Sequence, residues 1–296
     1  MRGRDLTDLL LLAAIWGASF LFTRLGVEHF GPFPLIELRV GLAALFLIPF
    51  VILSGAATSI LRHWKPLFML GLLNAVLPFT LYAYAAQSLD AGFLSVVNAV
   101  TPAWGGIIAW LWLKDRLPML STAGLVVGFA GIVVLVWDKL EFSSGGTGLG
   151  TLAALLAPVC YGVAANYTKR FLSTGVNPLA IACGSLSMAA LVLLPLAWRD
   201  WPTQPVPFQA WAATVLLAVL CTGVAYKIFY RLLASVGPTK TVTVTFLVPV
   251  FGVFWGAFLL HEPITLQIVL GAGIVLIGSG LVIGGGRWRR KTPKAP

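Results

Sequence analysis

Charge is scarce in this chain. Of 296 residues only 10% are Asp, Glu, Lys or Arg, and there are just three histidines and three cysteines. With 59% apolar residues and a mean hydropathy of +0.94, a soluble domain is excluded, because such a surface would not stay dispersed in water. Cys160, Cys183 and Cys221 fall inside apolar stretches without metal-ligand spacing, so they read as small buried hydrophobes and no metal site is expected. Nine of the ten carboxylates (Asp5, Asp8, Glu28, Asp90, Asp115, Asp138, Glu141, Asp200 and Glu262) lie at predicted helix ends or in loops. Glu37 is about one turn inside a helix, and His29, His63 and His261 are also near ends. Catalysis needs acid, base or metal groups at one depth; without them a membrane-embedded enzyme is a remote alternative, and no cofactor is expected.

What is abundant is long apolar sequence. A membrane-crossing helix needs about 20 mostly apolar residues, and ten such stretches are predicted: 6–27, 33–53, 66–87, 91–113, 119–137, 148–170, 178–197, 208–233, 238–260 and 265–285. The predicted class is therefore an all-α integral membrane protein. The first apolar run leads directly into further spans, so no cleavable signal peptide is expected. With the N-terminus inside, 15 of the 20 basic residues fall on the cytoplasmic side and only Arg24, Lys139 and Arg199 on the other. That bias places both termini in the cytoplasm. It also accounts for the net charge of +10 without a nucleic-acid partner; the basic tail, 286–296, is expected to lie on anionic lipid headgroups.

The halves repeat each other. Pro102, Gly105, Leu113, Asp115, Gly124 and Gly131 recur 147 positions on as Pro249, Gly252, Leu260, Glu262, Gly271 and Gly278. Trp16-Gly17 and Thr23-Arg24 recur 145 positions on as Tyr161-Gly162 and Thr168-Lys169. Repeat 1 covers approximately 6–137 and repeat 2 approximately 148–285, together one membrane domain. Five crossings per copy force the second to insert upside down, an arrangement typical of secondary transporters.

The local patterns resemble the EamA family of the drug/metabolite transporter superfamily. They are Trp16-Gly17-Ala18-Ser19-Phe20, Pro34 with Arg39, and Asn98-Ala99-Val100-Thr101-Pro102 running to Leu113-Lys114-Asp115-Arg116-Leu117, with a second copy from Val236-Gly237-Pro238 to Leu260-His261-Glu262-Pro263. One departure is Lys114 and His261, where many relatives carry a small or apolar residue. The chain looks closest to the YddG-like aromatic amino-acid exporters. The resemblance implies a multi-pass protein of the bacterial cytoplasmic (inner) membrane that exports small metabolites such as amino acids. The alternative on the same fold is a multidrug or lipid-intermediate carrier.

In inverted-repeat carriers the substrate sits near mid-membrane, where irregular helices meet. Pro78, Pro102, Pro158 and Pro249 lie within spans and favour bends; Pro78, Pro102, Gly237, Pro238 and Pro249 are the candidate hinges. Polar residues at similar depth are Ser19, Asn74, Asn98, Thr101, Asn166, Thr243 and Thr245. Such groups face a protein interior, as glue between helices or as binding groups. Trp16, Tyr82, Trp104, Tyr161 and Tyr226 would wall a chamber with ring faces and hydroxyls. Lys227, alone well inside a second-half span, is a candidate counter-ion for a carboxylate, or snorkels to the helix end. Arg39 is read as fixing topology or pairing locally. Without an intramembrane carboxylate or histidine, facilitated export by alternating access is expected. The oligomeric state is open, and a monomer suffices.

Overall fold

The computed structural model describes residues 3–115, 117–140, 147–172 and 176–288. Arg2, Arg116, Glu141 and the part of the basic tail beyond Trp288 lie outside them. Ten apolar helical stretches follow one another: α1 (Gly3–Phe30), α2 (Pro32–Leu53), α3 (Trp64–Ala85), α4 (Ala91–Leu113), α5 (Met119–Val136), α6 (Gly148–Phe171), α7 (Pro178–Arg199), α8 (Phe208–Val236), α9 (Val244–Leu260) and α10 (Leu266–Trp288). In hydrocarbon a backbone must satisfy its own hydrogen bonds, which makes helix the local solution for each run. Leu45, Leu53, Val126, Leu191, Phe258 and Leu270 are each more than half exposed, an apolar outer belt suited to lipid rather than water.

The prediction and the structure differ in the ninth stretch. Nine described helices have the length and apolar character to cross a membrane, whereas α9 has 17 residues. The predicted span 238–260 is interrupted because its threonines bond back to their own chain. Thr243 Oγ1 donates to the Lys240 carbonyl at 2.6 Å and Thr245 Oγ1 to the Val242 carbonyl at 2.8 Å. Such bonds offer the backbone an alternative to the regular ladder, and Pro238–Thr241 remains as a separate turn of helix.

Packing obeys an exchange rule. α1 packs on α8 and α9, and α6 packs on α3 and α4; α2 pairs with α7, and α5 with α10. Replacing each helix by its counterpart in the other half maps these particular pairings onto one another. The glycines of α5 and α10 work within this one molecule. A Cβ at Gly124 would lie 2.6 Å from the Gly278 carbonyl oxygen, and one at Gly131 2.7 Å from the Val275 amide nitrogen. Both obstacles are backbone and cannot swing aside.

Gly131→Leu should therefore force α5 away from α10, at a cost of about 1–3 kcal/mol. Thermal unfolding in detergent should show a lowered midpoint, while Gly273→Leu, where a Cβ meets nothing within 4 Å, should leave it unchanged.

Candidate functional site

Two kinds of helix irregularity position the candidate site. α3 widens into a π-helical segment over Leu72–Val76, and α8 does so over Leu216–Val224. These are equivalent helices of the two halves, and such wide turns recur at functional sites. In α3 the cause is local: Pro78 has no N–H to offer the carbonyl four residues back, that of Asn74. In α8 the Thr222 hydroxyl donates to the Leu217 carbonyl at 2.9 Å, supplying a bond across the widened turn. α4 breaks at Ala99-Val100, just before Thr101 and Pro102. The corresponding break in the second half comes about one turn earlier in repeat register, at Val242-Thr243, while Pro249 stays inside α9. Gly237 ends α8 at φ 78°, a conformation that suits glycine; Pro238 opens the short turn that follows.

Between these irregularities lies a cluster of rings in two chains of contact. Phe20 meets Tyr82 edge-on at 5.4 Å, and Tyr161 lies 6.4 Å from Tyr82 and 6.3 Å from Phe79. Trp16 lies 5.5 Å from Phe229, which contacts Tyr230, which stacks on Tyr226 at 6.1 Å. The Tyr82 hydroxyl donates to Asn98 Oδ1 at 3.2 Å, and Asn74 Nδ2 donates to the Tyr226 hydroxyl at 3.2 Å. Thr101 Oγ1 donates to the Asn98 carbonyl at 2.7 Å. Trp16, Asn74, Asn98, Tyr161 and Tyr226 are only half-buried although they connect helices of both halves, so their polar and ring surfaces line accessible space.

Other expected site residues go elsewhere. Lys227 is exposed, its ammonium 3.5 Å from the centre of the Phe50 ring; no described contact links it to the cluster. Ser19 is tied to the Trp16 carbonyl at 2.6 Å. Asn166 bridges α6 to α4, donating to the Gly105 and Gly162 carbonyls, each at 2.9 Å. Thr243 and Thr245 hold the break before α9. Trp104 packs on Phe129 at 5.2 Å, over the α4–α6 crossing. That crossing explains one repeated motif. A Cβ on Gly162 would lie 2.9 Å from the Trp104 carbonyl carbon, and one on Gly17 would lie 2.7 Å from Phe251 Cβ. Trp104 and Phe251 are repeat equivalents, so each half presses one glycine against the other half. Phe20, Phe79 and Phe229 belong to the ring cluster, and Arg39 with Thr222 lies against it, without being among the site residues expected from sequence. Arg39 does not pair with Glu37, since two residues along a helix turn the side chain about 200° away.

Ion pairs close the two ends of α4. At its start Arg24 lies 3.6 Å from Glu262 and 3.8 Å from Asp90, and donates to the Leu89 carbonyl at 2.5 Å. Glu262, its side chain 9% exposed, also accepts from the amides of Ala91 and Gly92 at 2.8 and 3.0 Å, capping the positive end of the α4 dipole. At the far end Lys169 lies 2.8 Å from Asp115, both more than half exposed. Arg24 and Lys169 are repeat equivalents, as are Glu262 and Asp115; one pair of positions therefore appears at opposite ends of the same helix. Lys114 and His261, just before these carboxylates, adopt left-handed backbone at φ 58° and 55°. Each following amide, of Asp115 and Glu262, reaches back to the Ala109 or Gly256 carbonyl at 3.2 Å, a helix-ending turn that aims the carboxylate. Arg231 pairs with Asp8 and joins α8 to α1.

The profile of the EamA-like transporter family matches this chain twice, over residues 8–137 and 148–284. The chain belongs to the EamA-like transporter family. Similar proteins include the uncharacterized transporter YvbV of Bacillus subtilis, 25% identical over 94% of this chain and 90% of that one. A probable amino-acid metabolite efflux pump of Escherichia coli is 24% identical over 98% of both chains. The inner membrane transporter YedA of Escherichia coli is 24% identical over 95% and 92%. A crystal structure with TM-score 0.69 and 18% identity covers 95% of this chain and 98% of its own, a likeness of fold. This EamA-family chain is thus a multi-pass membrane transporter.

The two ion pairs should differ in worth. Glu262→Gln removes a nearly buried charge that holds Arg24 and two amides, a loss of about 2–4 kcal/mol. Asp115→Asn removes an exposed pair worth at most about 1 kcal/mol. Thermal unfolding of the two variants side by side should give the larger drop for Glu262→Gln.

Proposed function

We propose that this chain is a secondary carrier that exports small amphiphilic metabolites, above all amino acids including aromatic and other hydrophobic ones, from the bacterial cytoplasm. Its ten stretches are proposed to form two inverted five-helix repeats with both termini in the cytoplasm. Transport proceeds by alternating access, the halves rocking about the irregular helices α3, α4, α8 and α9. The observation that carries this reading is the placement of repeat-equivalent ion pairs, Arg24–Glu262 and Lys169–Asp115, at opposite ends of α4 with the ring cluster between them. Two mirror-related closures around one central space are what an alternating carrier needs. They are unequal here: Glu262 is 9% and Arg24 34% exposed, whereas Lys169 and Asp115 are both more than half exposed, so the side proposed to be periplasmic is read as the more closed one in this state.

The ring cluster supports the substrate class. Stacked and edge-on rings with three or four hydroxyl and amide groups suit a solute with one apolar and one polar end. The name of the Escherichia coli relative, a probable amino-acid metabolite efflux pump, points the same way. Transport is proposed to be facilitated, because the cluster contains no carboxylate or histidine to exchange a proton for substrate.

Counterflow into proteoliposomes tests this directly. Labelled phenylalanine or tryptophan should accumulate against unlabelled solute with no imposed gradient, and Trp16→Ala should slow it roughly tenfold by removing a stacking face. Wild-type protein that moves no amino acid would end the substrate assignment. An absolute need for a proton gradient would end the facilitated mechanism.

A further inference from the structure

Arg39 is the charge the proposed mechanism leaves unused. It stands seven residues inside α2 and is 8% exposed, yet no carboxylate pairs with it among the described residues. Its Nε donates to Thr222 Oγ1 in the widened turn of α8 at 3.2 Å, and its guanidinium carbon lies 3.6 Å from the centre of the Phe79 ring. The titratable groups that act on it electrostatically are Tyr161, Tyr226 and Cys221, none of them an acid. Its two terminal nitrogens make no hydrogen bond to any described residue, but they are not among the side-chain atoms sealed off without a partner, which are Glu37 Oε2 and Thr80 Oγ1. Each therefore keeps a little accessible surface, on a guanidinium that lies against the Phe79 ring of the cluster.

A guanidinium so held is ready for one kind of guest. Nε and the ring face fix its plane, leaving the two terminal nitrogens as a fork that matches a carboxylate with two parallel bonds. Desolvation by the surrounding protein makes such bonds strong. The second half offers no rival: α7, the counterpart of α2, has no charged side chain between Pro178 and Trp198. We propose that Arg39 is the binding point for the carboxylate of the transported solute, a monocarboxylate such as an α-amino acid. The apolar part of the solute then lies against Tyr161, Tyr226 and Trp16. The assignment rests on the carrier reading above and adds to it the group that orients the substrate.

The test compares an amino acid with its amide, which keeps the amino group and lacks the carboxylate. In counterflow and in binding followed by intrinsic tryptophan fluorescence, wild-type protein should prefer phenylalanine over phenylalaninamide by roughly 10- to 100-fold, the range for charge-assisted hydrogen bonds. Arg39→Gln should erase most of that preference; Arg39→Lys, which keeps the charge but not the fork, should fall between. Equal handling of acid and amide by the wild type overturns the proposal without any variant. So does an undiminished preference in folded Arg39→Gln or Arg39→Lys. In both cases the wild type still moves amino acids and the carrier reading survives; a wild type that moves neither compound nor any other amino acid removes the carrier reading itself.

Discussion

A backbone in hydrocarbon cannot leave its amides and carbonyls to water, and every feature of this molecule is arranged around that constraint. Regular helix meets it along the lipid-facing surface. Departures from regular helix are confined to places that other helices cover: the wide turns of α3 and α8, the break in α4 and the break before α9. Three of the four are accompanied by a local substitute bond, from the hydroxyls of Thr101 in α4, Thr222 in α8, and Thr243 and Thr245 before α9. The wide turns and the α4 break border the ring cluster, so covering irregular backbone and gathering rings and hydroxyls between the helices are one structural solution.

The repeat supplies the second level of order. Gly17 and Gly162 set how closely the halves cross, and the carboxylates beyond Lys114 and His261 set where their ends meet. The left-handed backbone at those two residues is costly for any residue with a Cβ, by about 1–2 kcal/mol. Lys114 and His261 tolerate it because the same turn aims Asp115 and Glu262 at basic partners from the opposite half.

Much of this was legible from residue order alone. Apolar runs gave the helices to within a few residues, and register gave the pairing of Trp16-Gly17 with Tyr161-Gly162. Side-chain direction was another matter. α2 is apolar nearly all round and has no periodic face, so nothing in its pattern shows that Arg39 turns inward onto Phe79, whereas Lys227 turns outward onto Phe50. The two readings of Lys227, counter-ion or snorkelling side chain, both rest on depth along the helix, which says nothing of rotation about it. The wide turns are less legible, since one extra residue in a turn leaves composition unchanged; Pro78, a candidate hinge from sequence, marks the place of the first and not its form. Proline was also an uneven guide to breaks: Pro102 follows one directly, while Pro249 lies well inside α9 and threonines make the break upstream.

Arg39 bears on stability as well as on binding. A ring face stabilises a desolvated cation by about 2 kcal/mol, and the single bond to Thr222 adds about 1.5–3 kcal/mol. Removing a charge from water costs several kcal/mol even after relaxation of the surroundings. The local contacts thus do no better than break even, and the remaining nitrogens stay unbonded. A protein under selection for stability alone would fill this position with a second ring or an aliphatic side chain, as α7 does in its equivalent stretch. Holding a cation here makes sense only if the deficit is met from outside the chain, transiently and by an anionic group. The tight packing at Gly124, Gly131, Gly17 and Gly162 lets the rest of the bundle carry that deficit between one guest and the next.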